Sequence, residues 1–320
     1  MNNIRAVRYD TAHHTAWDDF VTKSKNGVFL FFRDYMDYHA DRFPDRSLMF
    51  YDERDRLIGL LPATVRDGIF SSHMGLTFGG MISDTTMKVD LMLNVFDAMI
   101  EALREQGFRQ MVYKAIPHIY HRIPAEEDLY ALFRRGGRVY RRDVTVTIDM
   151  RARLPFSHGR RWALNQSERA KLSVQRSFDF SSFMAITDQV LITKYHAHPV
   201  HTAAEIKLLA DRFPDNIKLF ASFRDSIMMA GVVIYESERV AHAQYIGAVE
   251  EGYKQGAVDC IINYLINDYY GEKRFFDFGV STEPVGTFSN AGIIKNKQSY
   301  GARAIAHDFY ELDLYADYPK

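Results

Sequence analysis

The sequence predicts an α/β protein with mixed sheets, arranged as two tandem copies of one unit. Three observations carry that reading. Residues 228–302 run strand, strand, glycine-bearing turn, helix, strand, and then a polar loop ending in a short helix. The landmarks of that stretch recur upstream at a nearly constant offset. A hydrophobic content of 47% and an aromatic content of 14% over 320 residues supply enough apolar material for two cores.

Taken in order, residues 1–46 form an opening segment with two short amphipathic helices. Trp17, Phe20 and Val21 mark the first, and Tyr35 to His39 the second. The aromatic run Phe29, Phe31, Phe32, Tyr35 and Tyr38 reads as core rather than as a ligand cage. Residues 47–51 and 57–65 are expected to pair as a hairpin around Asp52-Glu53-Arg54-Asp55, with 69–73 as a third strand. Gly75-Leu76-Thr77-Phe78-Gly79-Gly80 is a glycine-rich loop. Residues 87–106 are a helix closed by Gly107, and 109–117 return as a strand. A basic helix running into a strand is expected between 151 and 178, and another helix over 183–196. Thr202 with Glu205 has the spacing of a capping box, and the helix it opens ends at Asp211-Arg212-Phe213-Pro214. Residues 228–235 and 240–247 are β-rich runs separated by Glu236-Ser237-Glu238. Residues 250–256 break the chain. Val258, Ile261, Ile262, Leu265 and Ile266 then fall at helical spacing over 257–269, before a buried strand at 274–279 and the polar loop 281–286.

The repeat is read from four landmarks in one order, each pair roughly 165–172 positions apart. Ile58-Gly59-Leu60-Leu61 corresponds to Ala230-Gly231-Val232-Val233, and His73 to His242. The strand ending Val112-Tyr113-Lys114 corresponds to Phe276-Asp277-Phe278. Arg138 to Thr145 lines up with Arg303 to Tyr310. The division expected is an N-terminal copy over 1–150 and a C-terminal copy over 151–320 that carries the site.

Composition narrows the function classes. No apolar run reaches membrane-spanning length, and the N-terminus lacks a signal-peptide core. A single cysteine, Cys260, excludes an internal disulfide and fits a reducing, cytoplasmic setting. Its place among Ile and Val in a helix reads as a structural thiol. Between Arg134 and Arg176 there are twelve Lys or Arg against three acids, although the whole chain has a net charge of −1. A basic block of that kind either meets an anionic partner, such as a phosphate, a nucleotide sugar or RNA, or is a solvated surface paired with acids elsewhere.

At the level of motifs the chain resembles the GNAT acyltransferase superfamily in its duplicated, Fem-type form. The closer likeness is to bacterial Fem-like GNAT proteins encoded with polysaccharide genes. The segments carrying it are Gly75 to Gly80, Pro199-Val200-His201, His242-Ala243-Gln244-Tyr245, Phe276 to Glu283, Asn290 to Ile294, and Lys297 to Gly301. The resemblance implies an acyl-transfer centre at Lys297, which is followed three residues later by the aromatic-glycine pair Tyr300-Gly301. The lysine would stabilise negative charge developing on a carbonyl or phosphate oxygen. Gln298 stands where the family usually has an acid. The resemblance also implies acetyl-CoA or another acyl-CoA as donor, with its pyrophosphate cradled by the turn containing Gly252, Lys254 and Gly256. That turn keeps the glycines of the family's loop but not their spacing, and Fem-type proteins take their acyl group from aminoacyl-tRNA instead.

Acyl transfer to an amine needs a proton acceptor and an oxyanion donor. His242, on a strand, is either that base or a hydrogen-bonded core histidine. Gln244 is expected on the same face two residues on, beside Tyr245. Asp277 between Phe276 and Phe278 must be paired or face a cavity, so it is a substrate or base residue, or a structural partner. Ser281 and Glu283 follow at the carboxyl end of the strand, where α/β folds bind ligands. Asn290 either contacts substrate or caps the next helix. His201 is a cleft candidate. His196, His198 and His201 imitate metal-ligand spacing without a cysteine or clustered acid, so no metal is expected. Arg160, Arg161, Arg169 and Lys171 are the candidates for holding a phosphate or sugar nucleotide, and His73 and Thr77 would line a cleft in the first copy. The function expected is N-acyl transfer from acyl-CoA to an amino-sugar precursor of a surface polysaccharide. Its alternatives are aminoacyl transfer from charged tRNA and a non-catalytic binding module.

Overall fold

The computed structural model describes residues 4–280 and 290–317. The chain divides into two compact units, one formed by residues up to Asp143 together with the segment from Ala306 onward, the other mainly by Val144–Thr282 and Ser289–Ile305.

The first unit contains β1 (Arg5–Arg8), α1 (His14–Lys23), α2 (Arg33–Met36), β2 (Leu48–Tyr51), β3 (Leu57–Leu61), β4 (Thr64–Arg66), β5 (Ile69–Ser71), β6 (Ile82–Ser83), α3 (Val89–Glu105), β7 (Gln110–Lys114), α4 (Glu127–Arg134) and the start of β8 (Arg138–Asp149). In α3, Met92, Val95, Phe96, Met99, Ile100 and Leu103 recur every three or four residues, and all six are buried in the unit's core with Phe50, Phe70 and Met111. Gly107, at φ +82°, adopts the left-handed conformation that ends the helix. The expected strand 57–65 is broken at Pro62, whose missing N–H cannot extend a ladder. β3 therefore pairs with β2 and β6, whereas β4 pairs with β5.

The second unit continues from Val144 in β8 through α5 (His158–Arg169), β9 (Ser173–Ser177), α6 (Phe180–Tyr195), α7 (Ala203–Arg212), β10 (Ile217–Arg224), β11 (Ile227–Glu236), β12 (Val240–Ala248), α8 (Glu250–Lys254), α9 (Ala257–Tyr264), β13 (Phe275–Val280), α10 (Ala291–Gln298) and the start of β14 (Arg303–Asp313). Its strands lie in the order β8-β13-β12-β11-β10-β9, with β13 and β12 parallel and the other neighbours antiparallel. β11 is central, and eight of its ten residues are buried, which explains why it reads as a continuous apolar run. α9 packs Val258, Ile261 and Ile262 into the core, and its expected continuation to Tyr269 widens into a π-helical turn over Leu265–Tyr269. The capping box of Thr202 and Glu205 is present at α7. The end of β14 pairs with β7 within the first unit, Phe309 opposite Lys114. Among the described residues no helix is long and apolar enough to cross a membrane.

Candidate functional site

The chemistry of the second unit is concentrated where three adjacent strands carry polar residues in register. His242 of β12 stands directly opposite Asp277 of β13, and Asp277 stands opposite Thr147 of β8. His242 Nδ1 donates to Asp277 Oδ2 at 2.6 Å, and the hydroxyls of Thr145 and Thr147 donate to Oδ1 at 2.5 and 2.7 Å. Asp277 is fully buried, so its charge depends on these donors. A carboxylate can only accept, which places the imidazole proton on Nδ1 and the lone pair on Nε2.

The ladder of β13 with β8 is irregular between Asp277 and Val280, and Gly279 sits in that irregularity at φ +74°. A side chain there would meet His242 Cε1 at 3.2 Å and Nε2 at 3.7 Å. Glycine thus keeps this position of β13 from crowding the Cε1–Nε2 edge of the ring. The same bend turns the carbonyls of Gly279 and Val280 toward Lys297 of α10, whose Nζ donates to them at 2.8 and 3.2 Å. Burial pushes the Lys297 ammonium down to about 8, against the opposing pull of Asp277. A proton acceptor backed by a carboxylate and a partly desolvated cation therefore share one end of β13. His242, Asp277 and Lys297 come together from three separate regions of sequence. Thr145 and Thr147 were not singled out by the sequence reading. Their signal is the alternation Val144-Thr145-Val146-Thr147, which puts two hydroxyls on one face of a buried strand.

The remaining candidates fall elsewhere. Ser281 and Glu283 lie outside the described residues. Gln244 is the extra residue of a bulge in β12, because Ala243 and Tyr245 oppose the consecutive Ile234 and Val233. Simple alternation from His242 therefore fails there, and the Gln244 side chain hydrogen-bonds Tyr245 instead. The Tyr245 hydroxyl lies 2.6 Å from His201 Nδ1 and accepts the His201 backbone N–H at 3.2 Å. His198 bonds to Asp188, so the three histidines do not converge, and no cluster of metal-ligating side chains occurs among the described residues. Asn290 caps α10, its side chain accepting from Ile293 N–H at 3.1 Å.

The expected pyrophosphate turn is helical. Residues 250–254 form α8, and Lys254 pairs with Glu250 at 2.7 Å. A Cβ at Gly252 would lie 2.3 Å from the Met229 carbonyl, and one at Gly256 2.1 Å from that of Ala163. Both glycines are thus accounted for by close backbone packing, and this segment does not fit a pyrophosphate. Arg160 is likewise internal. It bonds to Asp259 at 2.9 Å and to Ser299, and stacks 4.3 Å from the Tyr300 ring centroid. Arg161 donates to the Phe156 carbonyl, whereas Arg169 and Lys171 are exposed at the end of α5. The Cys260 thiol donates to the Ala257 carbonyl, and burial pushes it up to about 11, in keeping with a structural thiol.

No protein-family model and no curated protein matches the sequence. Solved structures do match over nearly the whole chain. The crystal structure of FemX superposes with a TM-score of 0.68 at 9% identity, covering 96% of each chain. The structure of L-PGS from Bacillus licheniformis gives 0.61 at 13% identity, covering 97% of this chain and 94% of that one. A tandem GNAT protein from the clavulanic acid biosynthesis pathway gives 0.50 at 10%, covering 98% and 100%. The chain has the tandem GNAT, Fem-type fold.

Proposed function

We propose that the chain is an acyltransferase that moves an activated acyl group onto an amine, with its reaction centre at the end of β13. The observation that carries this reading is that Asp277 holds the His242 imidazole while Lys297 bonds the carbonyls of Gly279 and Val280, two and three residues further along the same strand. His242 Nε2 takes the proton of the attacking amine as the C–N bond forms, and Asp277 stabilises the imidazolium. Lys297, retained as an ammonium below about pH 8, holds the negative charge that develops on the acyl oxygen. The proton passes from the imidazolium to the leaving group as its bond to the acyl carbon breaks. Thr145 and Thr147 donate to Asp277 Oδ1 and fix its orientation.

The acceptor we propose is the amino group of an amino-sugar precursor of a surface polysaccharide, following the sequence resemblance. For the donor two readings stand. Acyl-CoA follows from the superfamily, but its pyrophosphate would need a cradle other than Gly252 and Gly256. An aminoacyl ester on charged tRNA is favoured by that misfit and by the exposed Arg169 and Lys171, and its binding would weaken steeply with salt.

The test is a donor and acceptor screen run with the intact protein and with His242→Ala and Asp277→Asn. Turnover should fall by about 10²–10⁴ in both variants, as expected for losing a general base or the group that orients it. Variants as active as the parent on an accepted pair would remove the dyad from the mechanism. Turnover with acetyl-CoA but not with charged tRNA, or the reverse, decides the donor.

A further inference from the structure

The first unit carries a second cluster of ionisable groups that the proposed reaction does not use. Lys114, at the end of β7, is buried and donates from Nζ to the carbonyls of His73 (3.2 Å) and Leu76 in the segment around the glycine-rich loop. That segment is clamped onto it: Lys114 N–H bonds to Ser72 Oγ at 2.7 Å, and Gly79 N–H to the Lys114 carbonyl at 3.2 Å. Arg141 of β8 lies on the ring of Phe309, 4.6 Å from its centroid, and Lys114 Nζ lies 5.8 Å from the same centroid. Asp143 takes both Nε and Nη2 of Arg141, at 3.0 and 2.7 Å. The neighbouring Arg142 and Asp308 neutralise each other in a second bidentate pair.

Two cations, Lys114 and Arg141, thus meet one carboxylate, Asp143, in a place where Lys114 and Asp143 are buried and Arg141 retains a quarter of its side-chain exposure. His73 borders the cluster with two marks of its own. It holds the left-handed backbone at φ +53°, which a non-glycine residue adopts at a cost, and its buried Nδ1 has no hydrogen-bond partner among the described residues. Behind it stand His39, with ring centroids 5.5 Å apart, and Arg33, both of which oppose added positive charge. Arg33 is itself paired with Asp37 and Asp45, so the unmatched positive charge nearest His73 is that of Lys114.

We propose that Lys114 and Arg141 form an anion-binding site in the first unit, taking a small oxyanion group, carboxylate or phosphate-like, over the face of Phe309 with His73 at its edge. Such an anion replaces the missing negative charge and gives His73 Nδ1 a partner. Burial, with Arg141 adding to it, brings the Lys114 ammonium down to about 7, a loss an anion would reverse. Binding is therefore coupled to protonation: below pH 7 the site is already charged, and above it each bound anion must also recruit a proton.

The experiment is calorimetric titration of the full chain with sulfate, whose charge is constant over the range used, and separately with acetate, at pH 6.5 and pH 8.5. Saturable binding of either is expected, tighter at pH 6.5 by roughly an order of magnitude, because Lys114 is largely protonated there and largely neutral at pH 8.5. Preference for sulfate assigns the phosphate-like class, and preference for acetate the carboxylate class. Lys114→Met should abolish binding. Arg141→Gln, checked for native folding by its melting temperature because it leaves the buried Asp143 without its bidentate partner, should weaken it at least tenfold. Lys297→Met, in the other unit, should leave it unchanged. No saturable binding at pH 6.5, an affinity independent of pH, or undiminished binding by Arg141→Gln would each overturn the proposal.

Discussion

Lys297 offers a test that needs no knowledge of the substrate. Holding its ammonium at about 8 rather than at the ordinary 10.5 costs the folded state about 2.5 pKa units, or roughly 3 kcal/mol at neutral pH. Lys297→Met fills similar volume without the charge. Against the gain stand the Gly279 and Val280 carbonyls, which lose a donor at about 1 kcal/mol each. The substitution should therefore stabilise the protein by about 1 kcal/mol at pH 7 while removing turnover. The sign of the pH dependence is distinctive. Between pH 8 and 10.5 the unfolded chain binds the proton that the folded lysine has released, so the stability of the parent rises with pH through that window. The Met variant lacks this increment, and its advantage shrinks from pH 7 to pH 10. Urea unfolding of both proteins at pH 7, 8.5 and 10 measures it. A variant less stable than the parent at pH 7, with parallel pH profiles, would show that Lys297 carries a structural bond rather than a functional charge, and the argument would fail.

Two further substitutions probe the packing around these sites. Asp128 is buried under the Tyr113 hydroxyl and the Leu129 N–H, and burial raises its carboxyl to about 7. The folded state then binds a proton that the unfolded chain has lost, so this residue's contribution falls as pH rises from about 4 to 7. Asp128→Asn should flatten that slope, leaving the variant close to the parent near pH 4 and more stable at pH 8 by at most about 4 kcal/mol. Thermal melts across that range check it, and an unchanged slope refutes it. Gly279→Ala places a methyl 3.2 Å from His242 Cε1 at a left-handed φ, so it should cost about 1–2 kcal/mol and lower kcat more than it raises KM. A variant with full turnover would show that the Cε1–Nε2 edge of the ring is not where the amine arrives.

Most of the fold was legible because its strongest elements are periodic. The burial stripe of α3, the two-faced apolar run of β11 and the capping box of α7 are local signals, each specified by a few neighbouring residues. What escaped was non-local. Pro62 moves the chain between sheets, a consequence of hydrogen bonding that hydrophobic periodicity does not carry. The bulge at Gln244 shifts a face by one residue, so alternation counted from His242 gives the wrong neighbour. Gly252 and Gly256 resembled a phosphate turn, yet the carbonyls of Met229 and Ala163, distant in sequence, are what demand glycine there. His242 and Asp277 could each be suspected from residue type. That they are hydrogen-bonded to each other follows only from the parallel pairing of β12 with β13, which no spacing along the chain encodes.

The strands ending Val112-Tyr113-Lys114 and Phe276-Asp277-Phe278, matched in the sequence repeat, solve the same problem in opposite ways. Each brings polar groups into an interior that penalises charge. In the second unit Asp277 meets a histidine and two hydroxyls, each of which donates to it. In the first unit the corresponding strand offers Lys114, held by backbone carbonyls and facing Arg141, and here the charge is weakened instead of shared. A carboxylate hydrogen-bonded to an imidazole is suited to orienting a proton acceptor. A cation that burial leaves half-ionised near neutral pH is suited to being completed by an anion.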